Sequence, residues 1–149
     1  MGGKGDHIKT DISRGEKLEF DVEQRKMLNR YSDLVEEGEI TIQSYGLEEI
    51  VIEKMAALMG RTIPRDVYDF EYLTNTEGIE LQDVFYEFQR KAEHKGHNPA
   101  EFVQKVTEKE QILEKAWTNN LSNQIKYLRK FKDVWRDFNK QLRKFEKCK

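Results

Sequence analysis

The spacing of the apolar residues changes once along this chain, near Gly46, and that change limits the folds it can adopt. Before this point, residues 8–12 and 39–45 alternate apolar and polar side chains, the period of two that is typical of a β-strand. After it, apolar residues recur at steps of three and four, which is typical of amphipathic helices. Residues 21–29 are compatible with either a helix or a loop.

The positions of proline and glycine divide the second part into helices. Pro64 and Pro99 suit the first turn of a helix, and Gly60 and Gly96 suit helix ends. Helices are predicted over residues 47–59, from Pro64 to about residue 73, and over residues 81–95, 99–115 and 121–147. The prediction is an α+β chain, mostly α. A remnant of a mixed β-sheet with two or three strands occupies residues 1–45, and a C-terminal helical bundle occupies residues 46–149.

The last predicted helix carries a regular apolar seam. Its residues repeat every seven positions, with phenylalanines three residues after the last three of them, as at the a and d positions of a heptad. Such a seam either packs in the core of a bundle or binds a partner helix, and we favour the core. The seam consists of Leu121, Leu128, Phe131, Trp135, Phe138, Leu142 and Phe145.

The same segment is strongly basic. Residues 126–149 contain ten lysines and arginines against three acidic residues, a local charge of +7, whereas the whole chain has a formal charge of −2. Lys132, Arg136 and Lys140 lie on the flanks of the seam, where a phosphate backbone could reach them. They are candidate RNA-binding residues, with pairing to the acidic remainder of the chain as the alternative.

Composition indicates an intracellular protein. Cys148 is the only cysteine, so no internal disulfide can form. No apolar run approaches the ~18 residues of a membrane span, and the first residues do not form a signal peptide. We expect a cytoplasmic location without membrane contact.

Lys54 has an unusual setting among the lysines of the predicted helices. Its neighbours three and four positions away are apolar, so its ammonium needs an anion from elsewhere in the fold or from a ligand. A phosphate is one possibility; a lysine at the edge of the apolar stripe, or one paired with a distant carboxylate, is the structural alternative. If Lys54 serves a phosphate, replacing it by methionine should not lower the stability.

Asp66 and Asp69 are three residues apart and share one helical face. Together they could hold a cation or a basic group. The structural alternative is that Asp66 serves the helix dipole and Arg65 pairs with Asp69 four residues later.

Candidate metal ligands are sparse. Asp11 projects from the polar face of the first predicted strand, and it could bind a divalent metal only if other acids converged on it. His94 and His97 are separated by Gly96, where the helix is expected to end, and we do not expect a metal there.

Three segments resemble the AbiEii/AbiGii toxin family of nucleotidyltransferases, relatives of the DNA polymerase β superfamily. They are residues 7–13, 45–58 and 61–69. The specific ones are a Glu-Lys-x-x-Ala-Leu helix and the following Arg-x-x-Pro-Arg-Asp-x-Tyr-Asp motif. The resemblance extends from residue 8 to about residue 73, and the helical remainder matches in general character.

The resemblance implies an enzyme that transfers a nucleotidyl group from a nucleoside triphosphate, with Mg²⁺, to an acceptor such as tRNA. It implies a toxin that pairs with an antitoxin or acts in phage defence. By motif, Asp11 corresponds to a metal-binding carboxylate, Lys54 and Arg65 to nucleotide-binding residues, and Asp66 and Asp69 to the downstream acidic motif. The implied catalytic residues are Asp11, Lys54, Asp66 and Asp69.

One part of the family pattern is missing. A Gly-Gly or Gly-Ser motif followed by an Asp-x-Asp pair should precede Asp11, and neither a following helix nor Asp-x-Asp is found there. We therefore expect the C-terminal part of such an enzyme, inactive by itself. The alternative is a non-catalytic helical binding module that contacts RNA, an antitoxin or a missing catalytic half.

Overall fold

The computed structural model of the chain describes residues 15–27 and 40–148. In this part of the chain, strands β1 (Glu23–Lys26) and β2 (Thr41–Ser44) are followed by six α-helices. Within the described ranges, no helix combines the length and the apolar character that crossing a membrane requires. The helices are α1 (Leu47–Gly60), α2 (Pro64–Asn75), α3 (Phe85–His94), α4 (Phe102–Thr107), α5 (Glu110–Leu121) and α6 (Phe131–Glu146), with a 3-10 turn at Pro99–Glu101.

The mostly helical α+β class is confirmed. β2 lies within the predicted strand at residues 39–45, and it pairs antiparallel with β1, with Glu23 opposite Ser44. β1 falls in the segment for which the sequence allowed helix or loop. The first predicted strand lies outside the described residues, and the division into domains at residue 45 stays a prediction.

α1 and α2 lie at the centre of the bundle. α1 packs on α2, α3 and α4, while α2 also packs on α5 and α6. Because α1 is covered on several sides, its apolar residues include Val51, Ile52, Met55 and Leu58, none of which has exposed surface. Removing this surface from water is the main source of stability for the central pair.

The aromatic seam packs in the core, as expected. Phe138 contacts Phe70 of α2 at a ring centroid distance of 4.9 Å, and Phe145 contacts Phe88 of α3 at 5.5 Å. All five seam residues within α6 are buried. The seam therefore joins α6 to both α2 and α3 and is not left free for a partner helix.

Several predicted helix boundaries were wrong. The helix expected over residues 121–147 begins only at Phe131, and Leu128 lies in the loop before it, so the part of the seam within α6 spans about two heptads. The helix expected over residues 99–115 is divided into a 3-10 turn, α4 and α5, and α5 continues to Leu121, through the residues expected to separate two helices. Residues 81–84 form turns before α3. Apolar spacing continues through these segments because their side chains still face the core.

A group of charged residues joins α1 to α3, and we call Glu49, Glu53, Lys91 and Lys95 the α1–α3 charge cluster. Lys91 and Glu49 are almost completely buried, with Nζ and Oε1 2.6 Å apart. Glu53 lies 2.7 Å from Lys91 and 2.5 Å from Lys95. Burial alone would lower the pKa of Lys91, but the carboxylates of Glu49 and Glu53 raise it above its ordinary value.

The same cluster fastens residues 16–20 to the bundle. Glu49 Oε2 accepts hydrogen bonds from the backbone N–H groups of Glu19 at 2.9 Å and Phe20 at 3.0 Å. Lys91 donates to the backbone carbonyl of Lys17. Although this segment precedes the strands, it is thus held by helices α1 and α3.

Replacing Lys91 by methionine should lower the free energy of unfolding by about 3 kcal/mol or more, because it leaves the buried Glu49 carboxylate without its cation. Lys95→Met is the matched control, since Lys95 is partly exposed, and its loss should cost less than about 1 kcal/mol. Urea unfolding of the three proteins measures both differences. Equal effects of the two substitutions would contradict the assignment of a buried ion pair.

Candidate functional site

The C-terminal half of α1 and the first turns of α2 bring two basic and two acidic side chains together. We call Lys54, Arg61, Asp66 and Asp69 the α1–α2 charge cluster. Arg61 and Ile63, between the helices, have extended backbone angles, and Pro64 begins α2 with a fixed φ angle that suits a first helical turn. The chain therefore reverses within a few residues, which places the acidic face of α2 against α1.

Asp66 is the buried centre of this cluster, with no exposed side-chain surface. Arg61 holds it with two hydrogen bonds, from Nε to Oδ2 at 2.8 Å and from Nη2 to Oδ1 at 2.9 Å. The hydrogen bonds to Asp66 raise the pKa of the Arg61 guanidinium above its ordinary value. A paired guanidinium and carboxylate of this geometry fix the relative position of the two helices.

Lys54 reaches across to α2. Its Nζ lies 2.5 Å from Asp69 Oδ2 and 3.4 Å from Asp66 Oδ1. The side chains of Lys54 and Asp69 keep 19% and 31% of their surface exposed, so this pair forms the open side of the cluster. Of the readings that the sequence left open, the structure shows a lysine paired with carboxylates from a neighbouring helix.

Arg65 is exposed and does not form the i, i+4 pair with Asp69 that the sequence allowed. Asp69 is bonded to Lys54 instead, and Arg65 makes no ion pair with any residue in ranges 15–27 and 40–148. Its guanidinium lies one helical turn from the open side of the cluster.

Lys109 closes the end of α1 beside the cluster. Its Nζ donates to the backbone carbonyls of Leu58 at 2.5 Å, Met59 at 3.2 Å and Arg61 at 2.9 Å, which have no partner within the helix. Burial and the nearby charge of Lys105 lower the pKa of Lys109. Arg61 is therefore bound at two points: its backbone carbonyl accepts a hydrogen bond from Lys109, and its guanidinium donates hydrogen bonds to Asp66.

The described residues do not fit a divalent metal. Asp66 and Asp69 are already occupied by Lys54 and Arg61, and ranges 15–27 and 40–148 contain no group of three histidine, cysteine or acidic residues arranged to hold an ion. Asp11 lies outside these ranges, so its role as a metal ligand stays a prediction.

Gly96 has a φ of 76° just after α3 ends, so it separates His94 and His97 as expected.

The three candidate RNA-binding residues lie on the exposed side of α6. Lys132 makes no ion pair with a described residue, whereas Arg136 lies 3.6 Å and Lys140 2.9 Å from Asp137. The hydrogen bonds from Lys140 and Arg129 lower the pKa of Asp137 to about 2. Arg136 also lies 3.5 Å from Asp133, so the face is basic along its length with part of its charge balanced by two acidic residues.

Sequence reasoning assigned no role to several residues that build these sites. Arg61 begins the Arg-x-x-Pro-Arg-Asp-x-Tyr-Asp motif, and its position five residues before Asp66 was the one sequence signal for its pairing with that carboxylate. Lys109 and the pair of Lys91 and Glu49 gave no comparable signal, since their partners are 30 or more residues away in the chain. Only the tertiary structure brings these groups together.

A family model described as nucleotidyl transferase AbiEii toxin, type IV toxin–antitoxin system, matches residues 1–144. The chain belongs to this family. The match includes the α1–α2 charge cluster and nearly all of α6, so it extends well beyond the three segments that first suggested the resemblance. No curated protein and no solved structure matches this AbiEii-family chain.

The geometry reverses the expected effect of replacing Lys54 on stability, because Lys54 has structural partners whether or not it also binds a phosphate. Replacing Lys54 by methionine should lower the free energy of unfolding by about 1–3 kcal/mol, between the values of exposed and buried pairs, because Asp69 loses its cation. The loss should shrink in an Asp69→Asn background, in which that charge is already absent.

Arg65→Met is the control, because Arg65 is exposed and unpaired among the described residues, and it should change the stability by less than about 0.5 kcal/mol. Chemical unfolding of Lys54→Met, Asp69→Asn, the double variant and Arg65→Met measures these changes in the free energy of unfolding. A Lys54→Met protein as stable as the parent would show that the ion pair contributes nothing and would restore the original expectation.

Proposed function

We propose that this chain is the substrate-holding part of a toxin-type nucleotidyltransferase that passes a nucleotidyl group from a nucleoside triphosphate to tRNA. Lys54 and Arg65 contact the phosphates of the nucleotide, and the exposed face of α6 contacts the acceptor. Membership of the AbiEii family supports the reaction class. The partly exposed pair of Lys54 and Asp69 is the observation that carries the assignment of the nucleotide site.

The pair suits a ligand that carries negative charge. Asp66 keeps its bidentate partner Arg61 whether or not Lys54 is bound to it, so only Asp69 depends strongly on Lys54. A phosphate arriving from the open side competes with Asp69 for the ammonium and gains the nearby guanidinium of Arg65. Asp66 and Asp69 then act by positioning Lys54.

Mg²⁺ belongs to this proposal because the chemistry of phosphoryl groups commonly uses it to offset charge. The described residues do not fit the ion, and the sequence contains no Asp-x-Asp pair. We therefore propose that the chain does not catalyse the transfer by itself and that Asp11 is the one metal-binding carboxylate that it contributes.

The family description supports a proposal for the biological setting. A type IV toxin is expected to have a cognate antitoxin as its partner and to act inside the cell, in the cytoplasm, where nucleoside triphosphates and tRNA are present. A role in phage defence is part of the same proposal.

A non-catalytic binding module is the second candidate. All four charges of the α1–α2 charge cluster have partners within the cluster, as expected of a group that only supports the fold. In that case the bundle and α6 contact RNA, an antitoxin or a separate catalytic half, and Lys54 contacts no nucleotide.

The 149-residue chain, incubated with Mg²⁺, each labelled ribonucleoside triphosphate and total tRNA, should transfer no label, because a single carboxylate cannot build a two-metal site. Gel analysis of the tRNA measures transfer, and a tRNA nucleotidyltransferase of established activity is the positive control. Metal-dependent labelling by the pure chain would show that the necessary carboxylates are present after all.

The chain should bind tRNA through the α6 face with little regard to base sequence, because lysine and arginine contacts to a backbone position RNA without reading its bases. With ~4 phosphate contacts, the plot of log affinity against log salt should have a slope of roughly −3. Replacing Lys132, Arg136 and Lys140 together by glutamine should reduce the slope to about −1.

A triple glutamine variant of Arg25, Lys26 and Lys105 carries the same change of charge on other faces, and it should keep most of the affinity. Filter binding at several salt concentrations measures both variants, and circular dichroism checks their fold. Equal losses in the two variants would mean that overall charge, and not the α6 face, attracts the RNA.

A further inference from the structure

The loop between α5 and α6 is part of a long stretch without acidic residues. From residue 115 to residue 132 the sequence contains no aspartate or glutamate and five basic residues. The loop itself, residues 122–130, lies between the end of α5 at Leu121 and the start of α6 at Phe131. An uninterrupted positive segment of this kind attracts a polyanion. Its basic residues are Lys115, Lys126, Arg129, Lys130 and Lys132.

An aromatic ring stands in the middle of this loop. Tyr127 is 82% exposed, the highest value among the exposed large apolar and aromatic residues of the described ranges, and the ammonium of Lys126 lies 5.4 Å from the centre of its ring. Two other exposed tyrosines of the described ranges have acidic surroundings: Tyr86 precedes Glu87, and a hydrogen bond with Glu77 raises the pKa of Tyr72. Tyr127 is distinguished by having only basic charges near it in sequence.

The loop is fixed to the bundle at its end. Trp117 Nε1 donates a 2.9 Å hydrogen bond to the backbone carbonyl of Arg129. The guanidinium of Arg129 bonds to Glu71 of α2 and to Asp137 of α6, both at 2.6 Å. Because Arg129 is held from three sides, Tyr127 is presented outward from a defined position two residues earlier.

A cleft of about 450 Å³ runs between the loop and α5. Glu114, Thr118 and Ser122 line it on the α5 side, and Lys126, Arg129 and Lys130 line it on the loop side. The cleft thus offers hydrogen-bonding groups and three basic side chains against one acidic one. Tyr127 does not line the cleft itself, but it follows the lining residue Lys126 directly in the chain.

We propose that Tyr127 stacks on an unpaired base of a single-stranded nucleic acid segment, while Lys126 and Lys130 contact the adjacent phosphates. Exposed aromatic rings among basic residues are how proteins bind single strands without reading their sequence, because every base has a face for stacking. The inference deepens the proposed function: it rests on RNA being the acceptor, and it assigns the recognition of its unpaired part to this loop.

The test measures the binding of a labelled single-stranded RNA of about 12 nucleotides, within the usual site sizes of ~4–16, and of the same sequence as a duplex. Fluorescence anisotropy is recorded for the full chain and for Tyr127→Ala, Tyr127→Phe and Tyr86→Ala. Tyr127→Ala should weaken single-strand binding at least about fivefold, the lower end of the effect of removing a stacked base. Tyr127→Phe should stay within about twofold of the parent, because it keeps the ring.

The controls separate stacking from charge. Tyr86→Ala removes an exposed ring elsewhere and should not change the affinity, and Tyr127→Ala should leave duplex binding within about twofold, because paired bases offer no free face. Replacing Lys126 and Lys130 by glutamine should weaken binding of both forms. Since Tyr127 is almost fully exposed, its substitution leaves the core unchanged.

Two results would overturn the inference. Single-strand binding by Tyr127→Ala equal to the parent would show that the ring takes no part, and a Tyr127→Phe variant as weak as Tyr127→Ala would show that the hydroxyl, and not stacking, matters. If either occurs while the triple variant of Lys132, Arg136 and Lys140 still loses tRNA, the proposed function stands and only the stacking site fails. If no RNA binds at low salt, both fail, and an acidic protein partner becomes the better occupant of the basic surface.

Discussion

Asp66 is a carboxylate with no exposed surface, and the junction of α1 and α2 depends on its two cationic partners. A buried charge without a partner costs several kcal/mol, so the helices are stable side by side only while Arg61 holds Asp66, and Lys54 adds a longer contact of 3.4 Å. Arg61 comes from the connection between the helices and Lys54 from the middle of α1. One acidic residue thereby ties together the turn, the packing of two helices and the candidate nucleotide site.

α1 uses neighbouring residues to bind helices on different sides. Glu53 pairs with α3, while Lys54, the next residue, pairs with α2, and Lys109 closes the last carbonyls from the start of α5. Polar side chains on a central helix must find partners from other elements because so little of the helix faces water. The position of Lys54 is therefore specified by the whole arrangement around α1, which suits a residue that has to hold a charged ligand at a fixed place.

The sequence predicted the parts of this structure that depend on local pattern. The starts of α1 and α2 and the burial of Phe138 and Phe145 follow from apolar spacing and from Pro64, since these signals act within a few turns of helix. The break after Leu121 was missed because the loop residues Ile125 and Leu128 also turn toward the core and keep the helical spacing. Burial alone does not distinguish a helix from a loop that packs equally well.

The sequence predicted which residues belong to the candidate site better than it predicted which of them form ion pairs with each other. Lys54 and Asp66 were identified by an apolar neighbourhood and by a motif, and the structure brings them together. Their actual partners depend on which way each side chain turns between two helices, and spacing within one helix does not contain that information. The pair expected for Arg65 and Asp69 failed for this reason, because Lys54 from the other helix is closer to Asp69.

Asp137 connects the two basic surfaces at the C-terminal end of the bundle. It accepts a hydrogen bond from Arg129, which fixes the loop that carries Tyr127, and another from Lys140 on the α6 face. Since these contacts lower its pKa to about 2, Asp137 remains ionised throughout the physiological pH range and the connection persists. The same carboxylate reduces the positive charge of Lys140 and Arg136, and together with Glu71 it reduces that of Arg129. Among the described residues of this surface, Lys126, Lys130 and Lys132 make no ion pair, so the strongest attraction for a phosphate lies at the loop and at the start of α6. An RNA held by the α6 face would for that reason extend toward the loop, where the exposed ring offers a contact that charge alone cannot supply.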